Sequence, residues 1–314
     1  MQSPAAQSPA APPAYEPLRP GDPALIGGYR VLARLRGGRA YLATTQSGRR
    51  LAITRLPSRL ADDAALRDRL RARITAARRV RGPYLTAVFD GHADETGAWA
   101  ATDHVPGPTL ERAVAETGPL PVAAVRTLVA ALAAAIRAVH DAGLAHGGLA
   151  AHTVHLTEDG PRVSALGWAG AGAEPVPSGD VLLLGGVAHF AATGRSPFRD
   201  GTHDLTGCPD ELRGLVGRCL ADDPDDRPGP GAVLTAAGGA PPAPGWLPPD
   251  VAALLPAYLA EPPSRPVASG GERRRPVVLP PDAPPPAWQG PMPGAAGRGP
   301  AAPVTLPDAP RPAR

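Results

Sequence analysis

Histidines, carboxylates and arginines are the charged or titratable groups with which this chain could do chemistry at neutral pH, apart from two cysteines, because lysine is absent from all 314 residues, as is asparagine. All 32 basic side chains are therefore arginines. Histidines fall at 140, 146, 152 and 155, and imidazole is a common zinc ligand. No cysteine and no H-E-x-x-H pattern accompanies them, so the spacing predicts no metal site. Glu158 and Asp159 are adjacent carboxylates on a turn-forming stretch, where simple solvation is expected. No serine, histidine and acid share the spacing of a nucleophilic triad. Cys208 and Cys219 lack a C-x-x-C companion and read as reduced structural thiols.

The elements that must position these residues follow from hydrophobic period. Residues 29–33 and 40–43 read as strands joined by a hairpin at Gly37-Gly38, with a third strand over 51–56. Leu66, Leu70, Ile74 and Ala77 repeat on one face of a helix over 62–80. Two more strands are predicted over 85–90 and 98–102. Asp103-His104-Val105-Pro106-Gly107 then breaks the pattern. Pro121 starts a helix whose apolar stripe runs through Val125, Leu128, Leu132, Ile136 and Val139. Short strands at 154–156 and 162–164 flank the turn 158–160. Helices return over 180–192, 210–220 and 231–237.

Composition sets the boundaries. The 43 prolines and 37 glycines crowd toward the ends, so residues 1–22 and 261–314 are expected to be disordered. Residues 23–240 are expected to form one folded unit, followed over 241–260 by a linker whose residues 245–249 and short helix over 250–255 pack back on it. Net charge is +3, and no basic patch interleaved with aromatics points to nucleic acid. Arg273-Arg274-Arg275 reads as a solvated cluster. There is no charged start followed by an apolar run, and no uncharged apolar stretch of about 18 residues. A soluble, cytoplasmic protein with no membrane span is the expectation.

Several stretches, in order, carry a resemblance. They include Ile26-Gly27-Gly28-Tyr29, Val105-Pro106-Gly107-Pro108-Thr109-Leu110 and Val139-His140-Asp141-Ala142-Gly143-Leu144-Ala145-His146. Further on come Asp159-Gly160-Pro161-Arg162-Val163, Gly179-Asp180-Val181 and Cys219-Leu220-Ala221-Asp222-Asp223-Pro224-Asp225-Asp226-Arg227-Pro228. From about residue 22 to 237 the chain resembles the bacterial (Hanks-type) serine/threonine protein kinase family. The resemblance implies an α+β, two-lobed protein-kinase-like fold. It would have a small antiparallel-sheet N-lobe over 23–102, a hinge over 103–107 and a truncated helical C-lobe over 108–240.

The resemblance also implies where catalysis should sit, and there the chain departs from the family. The glycine loop is clipped to Leu35-Arg36-Gly37-Gly38-Arg39-Ala40, and the lysine of A-x-K is Thr54. Its glutamate partner aligns with Arg73, which is expected to turn to solvent or meet an acid. The base aspartate is Gly148, the loop lysine Ala150, the metal-binding asparagine Thr153, and the aspartate of D-F-G Ala165. Only twelve residues separate Gly167 from Asp180, and no A-P-E remains. The architectural positions His146, Leu166, Asp180 and Arg227 are kept.

A degenerate member, a pseudokinase, is the reading: not an enzyme, with no metal and with ATP and magnesium bound weakly or not at all. Backbone groups of Asp103, His104 and Val105 are what remains to meet an adenine. The function implied is a protein-binding or regulatory module whose partner is an active kinase or a regulator. The tail around Pro280-Pro281-Asp282-Ala283-Pro284-Pro285-Pro286-Ala287-Trp288 reads first as an entropic linker, with a ligand for a polyproline-recognising domain as the alternative. The alternative is an ATP-binding serine/threonine kinase with weak or atypical phosphotransfer.

Overall fold

The computed structural model describes residues 14–35, 40–55, 63–95, 97–164, 175–199 and 202–262. Gly37, Gly38, Ala165 and Leu166 lie outside the described residues, as does almost all of the proline-rich tail.

The first lobe is a seven-stranded sheet. Its strands are β1 (Tyr15–Glu16), β2 (Leu25–Ile26), β3 (Tyr29–Leu35), β4 (Ala40–Thr44), β5 (Arg50–Arg55), β7 (Val88–Asp94) and β8 (Gly97–Asp103). They lie in the order β1-β3-β4-β5-β8-β7, with β2 also on β3, and every neighbouring pair is antiparallel. Alternation along each strand divides the faces. Tyr41, Ala43, Leu51, Ile53 and Ala101 pack with Ile26 and Val31 on the outer face. Ala52 and Thr54 stand on the other, which faces the second lobe.

Helix α1 (Ala64–Ala77) starts at Asp63, whose carboxylate accepts from the Leu66 N–H at 3.0 Å. It buries Leu70, Ile74 and Ala77 against Val88, Ala93 and Ala98. Strand β6 (Leu85–Thr86) follows and pairs in parallel with a strand of the second lobe, described below.

The second lobe contains α2 (Leu110–Thr117), α3 (Val122–Asp141), β9 (His155–Thr157), β10 (Gly160–Ser164), α4 (Pro177–Thr193), β11 (Phe198–Arg199), β12 (Thr202–His203), α5 (Asp210–Cys219) and α6 (Pro230–Ala236). The strand paired with β6 is β10. Helix α3 is long and apolar enough to cross a membrane by length and composition. Here it is the centre of a packed lobe, with Leu128, Leu132 and Ile136 fully buried in one cluster with residues of α4, α5 and α6. Each such side chain withdrawn from water contributes roughly 2 kcal/mol, so an aliphatic core suffices despite few aromatics.

One expected boundary moves. The fold already includes residues 14–22, which lie before the expected start at 23: Tyr15 is buried and Asp22 is a structural anchor. Asp22 accepts from Arg34 Nε and Nη2 at 2.7 Å each, from the Arg19 N–H at 2.7 Å and from the Tyr41 hydroxyl at 2.9 Å. Burial alone would raise its pKa, but these donors outweigh it and hold the carboxyl at about 2. The stretch 241–260 packs back on the second lobe, as expected of it. Leu247, Val251 and Leu255 enter the large core, and the Trp246 indole donates to Thr157 O at 2.9 Å. Its helices α7 (Pro249–Ala252) and α8 (Pro256–Leu259) carry the chain back to the first lobe.

At α8 the two ends meet. The Tyr15 hydroxyl donates to Tyr258 O at 3.0 Å, and Arg50 Nη2 reaches both Glu261 carboxylate oxygens at 2.7 and 2.6 Å. Tyr15 and Tyr258 pack with Ala33 and Leu42, both fully buried, on the inner face of the sheet.

Candidate functional site

The cleft between the lobes is walled from above by β3, β4 and β5. Thr54 faces Ala40 on one neighbouring strand and Ala100 on the other. Around the position where the resemblance implies a lysine, the wall is therefore methyl groups and one hydroxyl.

Among the described residues, Arg73 on α1 turns to main-chain oxygens of the loop that enters the cleft, where the sequence suggested solvent or an acid. Its Nη2 donates to the carbonyls of Ala145 and His146, at 3.3 and 3.1 Å. A guanidinium carries five donors in a fixed fork, so backbone oxygens can satisfy it without a carboxylate. The helix is thereby tied to the loop entering the cleft.

That loop rests on Asp180, which has no exposed surface. Asp180 accepts from the N–H groups of His146 and Gly147, both at 2.7 Å, and lies 2.9 Å from His140 Nε2. Gly147 adopts φ +69°, where glycine is unstrained, and this turns its N–H onto the carboxylate. His146 Nε2 donates to Ser164 O at 2.8 Å, while its Nδ1 accepts from the Gly148 N–H at 3.2 Å. The four-residue anchor of His140, His146, Gly147 and Asp180 is complete.

The upper surface of the same loop carries little. Gly148 and Ala150 bring no polar side chain to it. The Thr153 hydroxyl accepts from the Ala150 N–H at 3.0 Å and lies 2.9 Å from Ala150 O and 3.3 Å from Gly148 O. It staples the loop to itself instead of facing the cleft. Arg227 caps main-chain oxygens of Ala221, Asp222 and Ser178 at 2.8, 3.2 and 3.2 Å.

At the hinge the Asp103 N–H donates to Ala87 O and the His104 N–H to Arg50 O, each at 3.2 Å. Among the described residues the Val105 N–H has no main-chain acceptor. Gly107 is required here, since a Cβ would sit 2.1 Å from Leu156 O. The Asp103 carboxylate pairs with Arg49 at 2.6 Å. His104 stacks obliquely on Tyr15, with centroids 5.8 Å apart, and His155 Nδ1 donates to Gly107 O at 3.2 Å.

Burial pushes the pKa of His146 and His155 down. His104 is held at about 4, by burial first and then by the positive potential of His155 and Arg50. These imidazoles are neutral at pH 7 and lend no charge to an anion. Among the described residues, no three histidine, cysteine or acidic side chains converge as a metal site. Glu158 and Asp159 lie exposed on the β9–β10 turn.

The structure thus brings Thr54, Arg73, Gly148, Thr153 and the hinge around one cleft. Sequence reasoning missed the closure of its hinge end by Tyr15 and Tyr258. The available signal was Tyr15 itself, the first aromatic residue in a stretch of alanine and proline.

A scan against protein-family models finds no match. Among curated proteins, the chain is 38% identical over 251 residues to the serine/threonine-protein kinase AfsK of Streptomyces coelicolor, covering 67% of this chain and 31% of that protein. It is 34% identical over 280 residues to the probable serine/threonine-protein kinase PkwA of Thermomonospora curvata, covering 76% and 38% respectively. The matches span about a third of those relatives' length. Among solved structures, the PknI kinase domain of Mycobacterium tuberculosis superposes with a TM-score of 0.58 and 25% identity, over 71% of this chain and 97% of that domain.

Proposed function

This chain belongs to the bacterial Hanks-type serine/threonine protein kinase family, and from that premise we propose that its kinase-like domain is catalytically silent and serves as a protein-binding or regulatory module. The observation that carries the reading is Arg73. Phosphoryl transfer in this fold depends on a lysine held by a glutamate, so that the lysine can hold the nucleotide phosphates. Here the helix position holds a cation that donates to Ala145 and His146 carbonyls, and the strand position holds Thr54.

The loop supports the same reading. A general base must reach the hydroxyl it activates, and Gly148 has no side chain with which to do so. Thr153 is engaged with its own loop. What remains well built is the frame, as expected of a domain that presents a shaped surface to another protein. An active kinase or a regulator is the partner class in keeping with the family.

The relatives' names favour a second reading, weak or atypical phosphotransfer. One experiment separates the two: incubation of the full chain with γ-labelled ATP, magnesium or manganese and generic protein acceptors. The expected result is no incorporation above the protein-free control. Incorporation that disappears in Ala52→Trp, which fills the inner face of β5, would overturn the proposal.

A further inference from the structure

A groove of about 460 Å³ runs beside the hinge, between β6, the β9–β10 turn and α8. Its apolar surface comes from Leu85, Val105, Leu255 and Leu259, and its rim carries Glu158 and Asp159. Leu259 is 65% exposed, one of three large hydrophobic side chains left so open among the described residues. Glu158 and Asp159 have no ion pair among the described residues, whereas the Asp103 carboxylate nearby is taken by Arg49. Arg162 also lines the groove but does not form an ion pair with either acid among the described residues. An apolar trough with free carboxylates at its rim fits a short segment of cations followed by aliphatic residues.

The chain has such a segment. Arg273-Arg274-Arg275-Pro276-Val277-Val278-Leu279 joins three cations to three aliphatic side chains, and no other stretch of residues 1–13 or 263–314 does so. It also begins close by. Leu259 lines the groove and Pro262 is the last described residue, so eleven residues lead to Arg273. An extended chain of that length reaches up to about 36 Å. Tethering at this range gives a local concentration on the order of millimolar, enough to fill a site of modest intrinsic affinity.

We propose that residues 273–279 dock in this groove in cis, with the three arginines against Glu158 and Asp159 and Val277 to Leu279 against Leu85, Leu255 and Leu259. Docking covers the exposed leucine and closes the groove to any partner bearing a similar basic and aliphatic segment. The inference stands apart from whether the cleft is silent, since none of these residues lines the Thr54 wall.

The test uses a fluorescent peptide of residues 270–282 titrated into two full-length chains by anisotropy. One chain is unaltered and the other carries R273E, R274E and R275E, which should vacate the groove. The peptide is expected to bind the altered chain at least tenfold more tightly, and to lose that affinity when E158R and D159R are added. Amide exchange over residues 255–259 should be faster in the R273E/R274E/R275E chain than in the unaltered one. Equal peptide binding to both chains, or unchanged exchange, would overturn the proposal. So would protection that grows with protein concentration, because a second copy would then supply the segment. If E158R/D159R fails to fold, the tail substitutions alone still decide the matter.

Discussion

The loop that crosses the cleft has an underside and an upper surface built to different standards. Below, a fully buried carboxylate at Asp180 is met by two N–H donors at 2.7 Å and by His140 at 2.9 Å. Above, Gly148 and Ala150 present no polar side chain and the Thr153 hydroxyl folds back on the loop. The difference separates two demands on one segment. Holding its shape requires buried, satisfied polar groups, whose loss would leave unpaired donors and unfold the lobe. Acting on a substrate requires charges facing the cleft, and their loss leaves the fold untouched.

Perturbing the underside should therefore have the largest effect. Asp180→Ala strands two buried N–H groups and is expected to cost about 3–5 kcal/mol, read as a lower urea midpoint. Asp180→Asn, which keeps one acceptor, should cost less. If Asp180→Ala melts like the unaltered chain, the comparison collapses.

Acidification should act through the hinge. Because the pKa of His104 is held at about 4, the unfolded chain binds a proton at higher pH than the folded chain does. Stability is therefore expected to fall as pH drops from about 6.5 toward 4, by up to about 3 kcal/mol. His104→Phe should reduce that slope in urea titrations across the same range, leaving the part that His146 and His155 contribute.

On the upper surface the expected costs are smaller. Arg73→Ala removes two donors from the carbonyls of Ala145 and His146, which water can partly replace, and should cost about 1–2 kcal/mol. The pair T54K and R73E, which restores the family's charges, is expected to leave labelled-ATP incorporation at background because Gly148 still supplies no base. Activity in that double variant would mean the upper surface is one step from function rather than emptied. Smallest is Tyr15→Phe, which deletes one hydroxyl contact to Tyr258 O and should lower stability by about 1 kcal/mol.

The frame was legible in the sequence because periodic patterns report burial. The stripe from Val125 to Val139 marked α3, and Leu66, Leu70, Ile74 and Ala77 marked the inward side of α1. The positions Thr54, Gly148 and Thr153 were found by their place in the resemblance. What they do was not legible there: the inward turn of Thr153 depends on loop geometry rather than residue type. The main-chain contacts of Arg73 were not legible for a related reason: carbonyls brought from more than seventy residues away receive it, and only the folded chain puts them there. The two-residue strand at Tyr15 was too short to leave a period, and its surroundings have the composition of a disordered segment. It is ordered by contacts with residues 33, 42 and 258, which only the folded chain brings together.

The hydrogen bond from Tyr15 to Tyr258 O places the first and last described turns of the domain side by side. Whatever is fused before residue 14 and after residue 262 must then emerge from one corner of the molecule, next to the hinge. Two binding modules attached there would act as a pair on a single neighbour, their separation set by linker length alone. Cutting either end short of its tyrosine would let them drift apart.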